Sequence, residues 1–598
     1  MQFGPRLQSG SGTRGPALRS AGSPSAAGAA SRALPFALLG IATVLAHASS
    51  FSVALVGDDY RWIEKARTSA WTALLAPRGL FKSFYRPWSR ELHFAVLDRT
   101  FGLSPAPYHA VNLTLTFAAL ALGFVWMRRI AGAAIAAVAV AAIATLTPWQ
   151  LLNDWASGSQ DLWMIAWSLA ALLAAQVGRG GWAAVAFALA LLSKETAAAV
   201  PLIALAEGAI VRRRNARGLA ADLAPMLVVL LAWAAVHPLL GGALWYARPG
   251  VGPRAPGPSP PFAWLWRSTL GSLDLDERPQ PDAGWGGALL AAIPVALALG
   301  AFVWTAGFRR DAGLRGRTDA HAPGPGAVPR ARIAAFGVAC ALAGWLPLAF
   351  PALGWHAYYA LFGAMGAWLA LATVIERSRP AVLASVLLLA TLSAARADTP
   401  SEDWSTGWFQ RRAATFLEVT HADLMRLHPR LPLRSRLFFT AVPAGSGLIP
   451  GGEESPPLRV WYSDSTLQAA YLSHYAPRPA EDTVGRDYFF RFDSRRGWIE
   501  IAAGEERDAA AHGDDPAWRR DHEQLAGCFA QAGDWPRAER EYGKLAVATP
   551  EDATYAFDAG LCACEGGQGE AARRWFERAA SLPGADSTMM AAARTGCP

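Results

Sequence analysis

The sequence predicts a polytopic α-helical membrane protein with a soluble C-terminal part. Three observations predict it. Hydrophobic residues make up 53% of the 598 and charged residues only 17%, against about 25% charged in an average soluble domain. The apolar residues gather in runs that approach or exceed the roughly 20 residues a bilayer crossing needs. The charge then divides along the chain: residues 1–397 carry 33 basic and 17 acidic side chains, residues 398–598 carry 22 and 30. This pattern excludes a disordered chain and a single soluble globule. Only Lys65, Lys82, Lys194 and Lys544 are lysines. The basic excess is thus an arginine habit, and no nucleic-acid partner is expected.

Residues 1–33, rich in Gly, Ser, Ala, Pro and Arg, read as a disordered cytoplasmic tail. Leu34 to Val56 is the first span. Ala46-His47-Ala48 resembles a signal cleavage site, but the long leader and the continuing apolar run favour an uncleaved anchor. Further apolar segments cover 110–127, 130–148, 161–177, 182–211, 219–240, 285–308, 332–350, 357–375 and 380–397. Segment 182–211 lies between Arg179 and the run Arg212, Arg213, Arg214 and Arg217. Positive flanks stay inside, so the chain must go out and return there. Thirty residues are too few for two full spans, so two short helices turning at Ser193-Lys194-Glu195 are expected.

The domain then has about eleven membrane helices across 34–397. Arg128-Arg129, Arg309-Arg310 with Arg315 and Arg317, and Arg377 with Arg379 fall inside. The odd count puts 398–598 outside. The first outer loop, 57–109, is rich in Arg and Lys against the rule, which suggests that it holds an anion there.

The tail has two parts. Residues 398–510 hold linkers and an α/β unit, with apolar alternation in Arg436-Leu437-Phe438-Phe439-Thr440 and Leu458-Arg459-Val460-Trp461-Tyr462. Within the region 511–598, residues 519–584 repeat at a period of 34: Gly533 matches Gly567, Ala538 matches Ala572, Tyr542 matches Phe576. This resembles tetratricopeptide repeats, in which a small residue at a helix crossing and an aromatic four places on let two helices pack closely. Of the tail cysteines Cys528, Cys562, Cys564 and Cys597, disulfides and buried thiols both remain open. No cysteine–histidine spacing supports a zinc site.

Candidate chemistry gathers in the outer loops. Gly57-Asp58-Asp59-Tyr60 follows the first span directly. Adjacent carboxylates repel, which raises one pKa and suits a general base; solvated carboxylates that merely stop the helix are the bland alternative. Then come Tyr85-Arg86-Pro87, Phe101-Gly102-Leu103-Ser104-Pro105, Tyr108-His109-Ala110-Val111-Asn112-Leu113 and Ser193-Lys194-Glu195. In this order the motifs resemble bacterial GT-C membrane glycosyltransferases and the transmembrane and tetratricopeptide-repeat O-mannosyltransferases, over about residues 36–215. Two positions depart from the pattern: Thr116 stands where a His is frequent, and Ser159 replaces an Arg in Trp155-Ala156-Ser157-Gly158-Ser159-Gln160-Asp161-Leu162.

The resemblance implies a polyprenyl-phosphate-linked sugar donor and transfer outside the cytoplasmic membrane of a bacterium. Asp58 or Asp59 would take the acceptor's hydroxyl proton, with Asp58 favoured and Asp59 as helper or metal ligand. Arg86 and Arg90, spaced i, i+4, suit phosphate oxygens. Lys194 beside Glu195 would neutralise a leaving phosphate, and His356 in Trp355-His356-Ala357-Tyr358-Tyr359 would touch phosphate or sugar. His109, Asp161 and Glu195 are supporting residues. Asp274, Asp276 and Glu277 are weaker candidates for acceptor or metal. No cofactor is certain, and a divalent metal stays open. The acceptor is a protein, lipid or glycan hydroxyl, with protein O-glycosylation slightly preferred. The rivals are a membrane scaffold recruiting partners through its repeats, and a transporter of polyprenyl-linked sugars.

Overall fold

The computed structural model describes all residues except 1–25, 77–83, 238–261, 277–283, 309–327, 350–354, 398, 402, 450–453, 480, 483, 503–508 and 598. Most of the leader, Arg309, Arg310, Arg315, Arg317 and Glu277 therefore lie outside the described residues.

Among the described residues, seven helices are long and apolar enough to cross a membrane: Ala30–Ser52, Pro105–Ala131, Ala216–Val236, Trp285–Phe308, Arg330–Ala349, Ala357–Ile375 and Arg379–Ala397. An eighth is a broken pair, Ala133–Ala144 and Pro148–Asp154, bent by 59°. Pro148 explains the break, since it cannot donate to the preceding turn. Ser159–Gln176, Gly180–Leu191 and Val200–Ala206, the last continuing as a wider turn to Val211, occupy the other expected positions. These three are too short or too polar to count as full spans by length and apolarity.

Side-chain contacts sort the helix ends into two sets. The Arg212 guanidinium donates to the Ala175 carbonyl at 3.5 Å, so the chain that left at Arg179 has come back. Arg332 donates to the carbonyls of Ile210 and Val211, the Trp126 indole to Glu207, and Arg330 to Glu376. The arginine-rich ends thus share one side. At the other side lie the acidic pair, the 145–161 segment, the break at 192–199 and Asp274, which Arg396 reaches at 3.5 Å.

The tail begins with helix Gly407–Leu427 and a four-stranded sheet. Strands β1 (Arg436–Thr440), β2 (Gln468–Tyr471), β3 (Asp487–Asp493) and β4 (Gly497–Glu500) lie in the order β2-β1-β3-β4. β1 runs parallel to β2 and β3, and β4 is antiparallel to β3. Helix Pro456–Tyr462 makes the crossover from β1 to β2. Leu437 and Phe439 face the buried layer with Trp498, whose indole donates to Thr420 at 2.9 Å.

Five helices follow, Pro516–Gln531, Trp535–Ala548, Ala553–Glu565, Gly569–Ser581 and Ser587–Thr595, each packed on the next. The paired alanines Ala538 and Ala572 are fully buried, and a Cβ on Gly560 would stand 2.5 Å from the Phe576 ring. Small residues therefore do set the crossings. Cys564 and Cys597 form a disulfide, while Cys528 and Cys562 are free thiols.

The composition break at 398 is no break in packing. One apolar cluster runs from Leu39 through Trp149 and Trp155 to Leu417, Phe439 and Trp498.

Candidate active site

The acidic pair opens helix Asp58–Thr68, capped by Gly57 at φ +46°, a backbone angle that favours glycine. Two carboxylates in the first turn suit the positive end of the helix dipole. Their side chains then part company. Asp58 is exposed and Asp59 is 1% exposed. One Asp59 oxygen accepts the Val56 N–H at 3.0 Å; the other accepts the Ser157 N–H at 2.8 Å and hydroxyl at 2.5 Å. Burial pushes the Asp59 carboxyl up to about 7 against those three hydrogen bonds. Asp59 is a clamp, and Asp58 keeps its carboxylate in the open.

The Tyr-His-Asn motif holds the other half of the clamp. His109 faces the Asn153 carbonyl at 2.6 Å and the Val53 carbonyl at 2.8 Å through its two ring nitrogens. Asn112 donates to the carbonyls of Leu152 and Trp155 at 2.9 and 3.0 Å. Thr116 bonds the Asn153 side chain. Gly158 is required by close approach: a Cβ there would lie 2.5 Å from the Leu152 carbonyl oxygen. These residues shape the 152–158 turn that offers Ser157 to Asp59.

The same turn reaches the cations. Gln160 donates to the Ser157 carbonyl at 3.2 Å and accepts from Arg86 at 2.6 Å. Arg86 meets Glu195 with two of its nitrogens, at 3.3 and 2.6 Å. Lys194 pairs with Asp161 at 2.5 Å, its ammonium 4.3 Å from the Tyr359 ring centroid. Neither of the adjacent residues pairs with the other: Asp161 takes Lys194 and Glu195 takes Arg86. Lys194 is extended at its N-cap position, which turns it away from its neighbour. Both pairs are nearly buried. Such pairs add little net stability, but losing one partner is costly. Lys194 commits one of its three N–H donors to Asp161.

Arg90 does not join Arg86. Its guanidinium binds Glu91 at 2.9 Å through Nε, donates to the Phe84 carbonyl, and stacks 4.2 Å over Trp62. The intervening turn is a wide one, Pro87–Leu92, and the two arginines diverge. His356 packs on Trp404 with ring centroids 4.5 Å apart. Burial lowers its pKa to about 4, so it is neutral at pH 7 and offers hydrogen bonds rather than charge. A metal fits this site poorly. Both Asp59 oxygens are taken, and no group of three or more His, Cys, Asp or Glu side chains set for a metal occurs among the described residues.

Sequence reasoning missed two contributions. Trp88 stacks on Trp163 and meets Trp167, each at 5.2 Å, and donates to Ser193 beside Lys194. Trp163 and Trp167, four places apart in an apolar segment, look like ordinary span residues, and Trp88 sits in an outer loop far from both in sequence, so no signal joined them. The tail is the second. Arg459 pairs with Glu64, Arg67 donates to the Val460 carbonyl, Trp461 packs edge-on against Tyr60, and Arg411 pairs with Asp154 at 2.8 Å. A Cβ on Gly447 would stand 3.3 Å from Gly57 Cα, so the 443–449 loop covers the cap of the acidic helix.

Two solved structures of ArnT from Cupriavidus metallidurans are similar to this chain. The one bound to undecaprenyl phosphate is 16% identical, with a TM-score of 0.33 over 72% of this chain and 84% of that one. The apo structure is likewise 16% identical with a TM-score of 0.33, over 73% and 85%. A likeness this loose assigns no family and no residue role. No family model and no curated protein matches the chain.

Proposed function

We propose that the chain is a GT-C-like membrane glycosyltransferase that moves a sugar from a polyprenyl-phosphate-linked donor to a hydroxyl acceptor. The observation that supports it most is the hydrogen-bonded run from Asp59 through Ser157 and Gln160 to Arg86. It ties the helix that carries the exposed Asp58 to one cation, Arg86, whose partner Glu195 adjoins the second, Lys194.

In this reading Asp58 accepts the acceptor's proton. The freed oxygen forms a bond to the anomeric carbon as the bond from that carbon to the phosphate oxygen breaks. The electron pair leaves with the polyprenyl phosphate. Arg86 and Lys194 stabilise that charge, Lys194 through N–H donors not used on Asp161. Asp59, His109 and Asn112 position Asp58, and Asp161 and Glu195 hold the cations.

Charge gives the orientation. The arginine-rich ends belong in the cytoplasm, so the acidic site and the tail lie outside, in the periplasm of a bacterial inner-membrane protein. The Cys564–Cys597 disulfide agrees with an oxidising compartment, and the terminal helix pairs serve as tetratricopeptide-like repeats. The test compares envelope proteins, glycolipids and glycans by mass between cells with the chain and a deletion strain. A sugar mass present only with the chain supports the transferase. Identical fractions from the two strains favour the scaffold or the transporter.

A further inference from the structure

A cleft with a largely apolar lining and a few polar groups lies between the outer ends of the membrane helices and the hinge into the tail. It is shallow and open to solvent, about 530 Å³ only when the open space at its mouth is counted, and is lined among others by Trp355, Trp408, Asp276, Asp403, Arg396 and Thr147. Resting on the transferase reading, we propose that this cleft seats a sugar ring of the acceptor, so that the acceptor is a saccharide rather than a polypeptide.

The lining carries the argument. Trp355 and Trp408 supply two indole surfaces, and aromatic rings offer apolar area with a defined face, the complement of the C–H face of a pyranose. Arg396 bonds Asp276 at 2.9 Å, while Asp403 is partly exposed. Carboxylates and guanidinium groups suit paired hydroxyls, since each offers two parallel acceptors or donors. The Thr147 hydroxyl is buried without a partner among the described residues. An apolar occupant would leave the Thr147 hydroxyl unpaired, whereas Asp403 already accepts the Ser405 N–H at 2.9 Å and has its other oxygen to offer. A bare phosphate would meet two carboxylates against one guanidinium. A neutral polyol satisfies all of them. Few polar groups converging in a concave site with aromatic walls is the usual form of a small-ligand pocket.

Position agrees with composition. His356 adjoins the lining residues Trp355 and Ala357; its ring lies 5.8 Å from the Tyr358 ring, and the Lys194 ammonium 5.0 Å from that same ring. Two aromatic rings, His356 and Tyr358, thus stand between the side of the cleft and the Lys194 ammonium. The cleft needs both parts of the chain, since Trp408 and Asp403 come from the tail and Trp355 and Asp276 from between the membrane helices.

The test uses cells carrying full-length wild type, Asp58→Asn, Trp408→Ala, Asp403→Asn or Trp408→Phe, with membrane abundance measured for each. Envelope fractions are digested exhaustively with protease, and the sugar mass that depends on Asp58 is followed. The proposal expects that mass in the protease-resistant saccharide fraction. It expects Trp408→Ala and Asp403→Asn at equal abundance to lower it about tenfold, as when one stacked or bonding group is removed, and Trp408→Phe to restore most of it. Added mass on Ser or Thr peptides overturns it. So does wild-type product from both cleft variants, or no recovery from an abundant Trp408→Phe chain. If wild type and Asp58→Asn give the same fractions, the transferase reading fails and the cleft assignment with it.

Discussion

Replacing Asp59 by Asn separates a clamp from a base. The carboxylate accepts from Val56 with one oxygen and from Ser157 with the other. An Asn oxygen can keep both Ser157 bonds, but its NH2 group then faces the Val56 N–H, donor against donor, in a site that is 1% exposed. A buried donor left unsatisfied costs about 1–3 kcal/mol. Asp59→Asn should therefore lower the thermal midpoint in detergent and weaken transfer by displacing its neighbour. The effect has a pH signature. The folded pKa of about 7 lies above the ordinary value of 3.8, so the folded chain holds a proton that the unfolded chain has lost. Stability from this group falls as pH rises from about 4 to 7 and is level above. The wild type should lose thermal stability across that window more steeply than Asp59→Asn. A variant with wild-type midpoint and wild-type pH slope would refute the clamp.

Three further outcomes follow from the same geometry. Lys194→Ala strands Asp161 and should destabilise by about 3–5 kcal/mol, whereas Lys194→Met with Asp161→Leu should regain most of the stability, but no transfer, in paired denaturation and activity assays. Gly158→Ala drives a methyl into the Leu152 carbonyl and should cost stability and abolish most transfer; normal behaviour would show that the turn yields. A chain ending near residue 400 should insert poorly and lack activity, because Arg459, Trp461 and Gly447 pack on the acidic helix and its cap; a well-folded, active truncation by size exclusion and transfer assay would show the tail to be separable.

Much of this was legible in the sequence. Apolar runs and arginine flanks located the helices, including the out-and-back pair broken at Ser193-Lys194-Glu195, because bilayer thickness and charge placement act locally. Asp58, Asp59 and the Tyr-His-Asn motif stood out in the sequence as pattern, but the burial of Asp59 beside an exposed Asp58 did not. Which of two adjacent aspartates is buried depends on Ser157, about a hundred residues away. Pairing of Lys194 with Asp161 and of Arg86 with Glu195 is likewise long-range, and adjacency of Lys194 to Glu195 does not reveal it. The charge break at 398 marked a change of solvent, from lipid to water, and that change need not coincide with a gap in packing.

The central claim is that Asp58 takes the acceptor proton. Its most direct test is transfer by purified protein in liposomes, with a polyprenyl-phosphate-linked sugar and a saccharide acceptor, comparing wild type with Asp58→Asn. Asn keeps the size and leaves the Asp59 clamp untouched, so abundance and thermal midpoint should match wild type. Loss of general base catalysis should slow transfer by about 10²–10⁴-fold. Near wild-type turnover from a well-folded Asp58→Asn protein would contradict the claim.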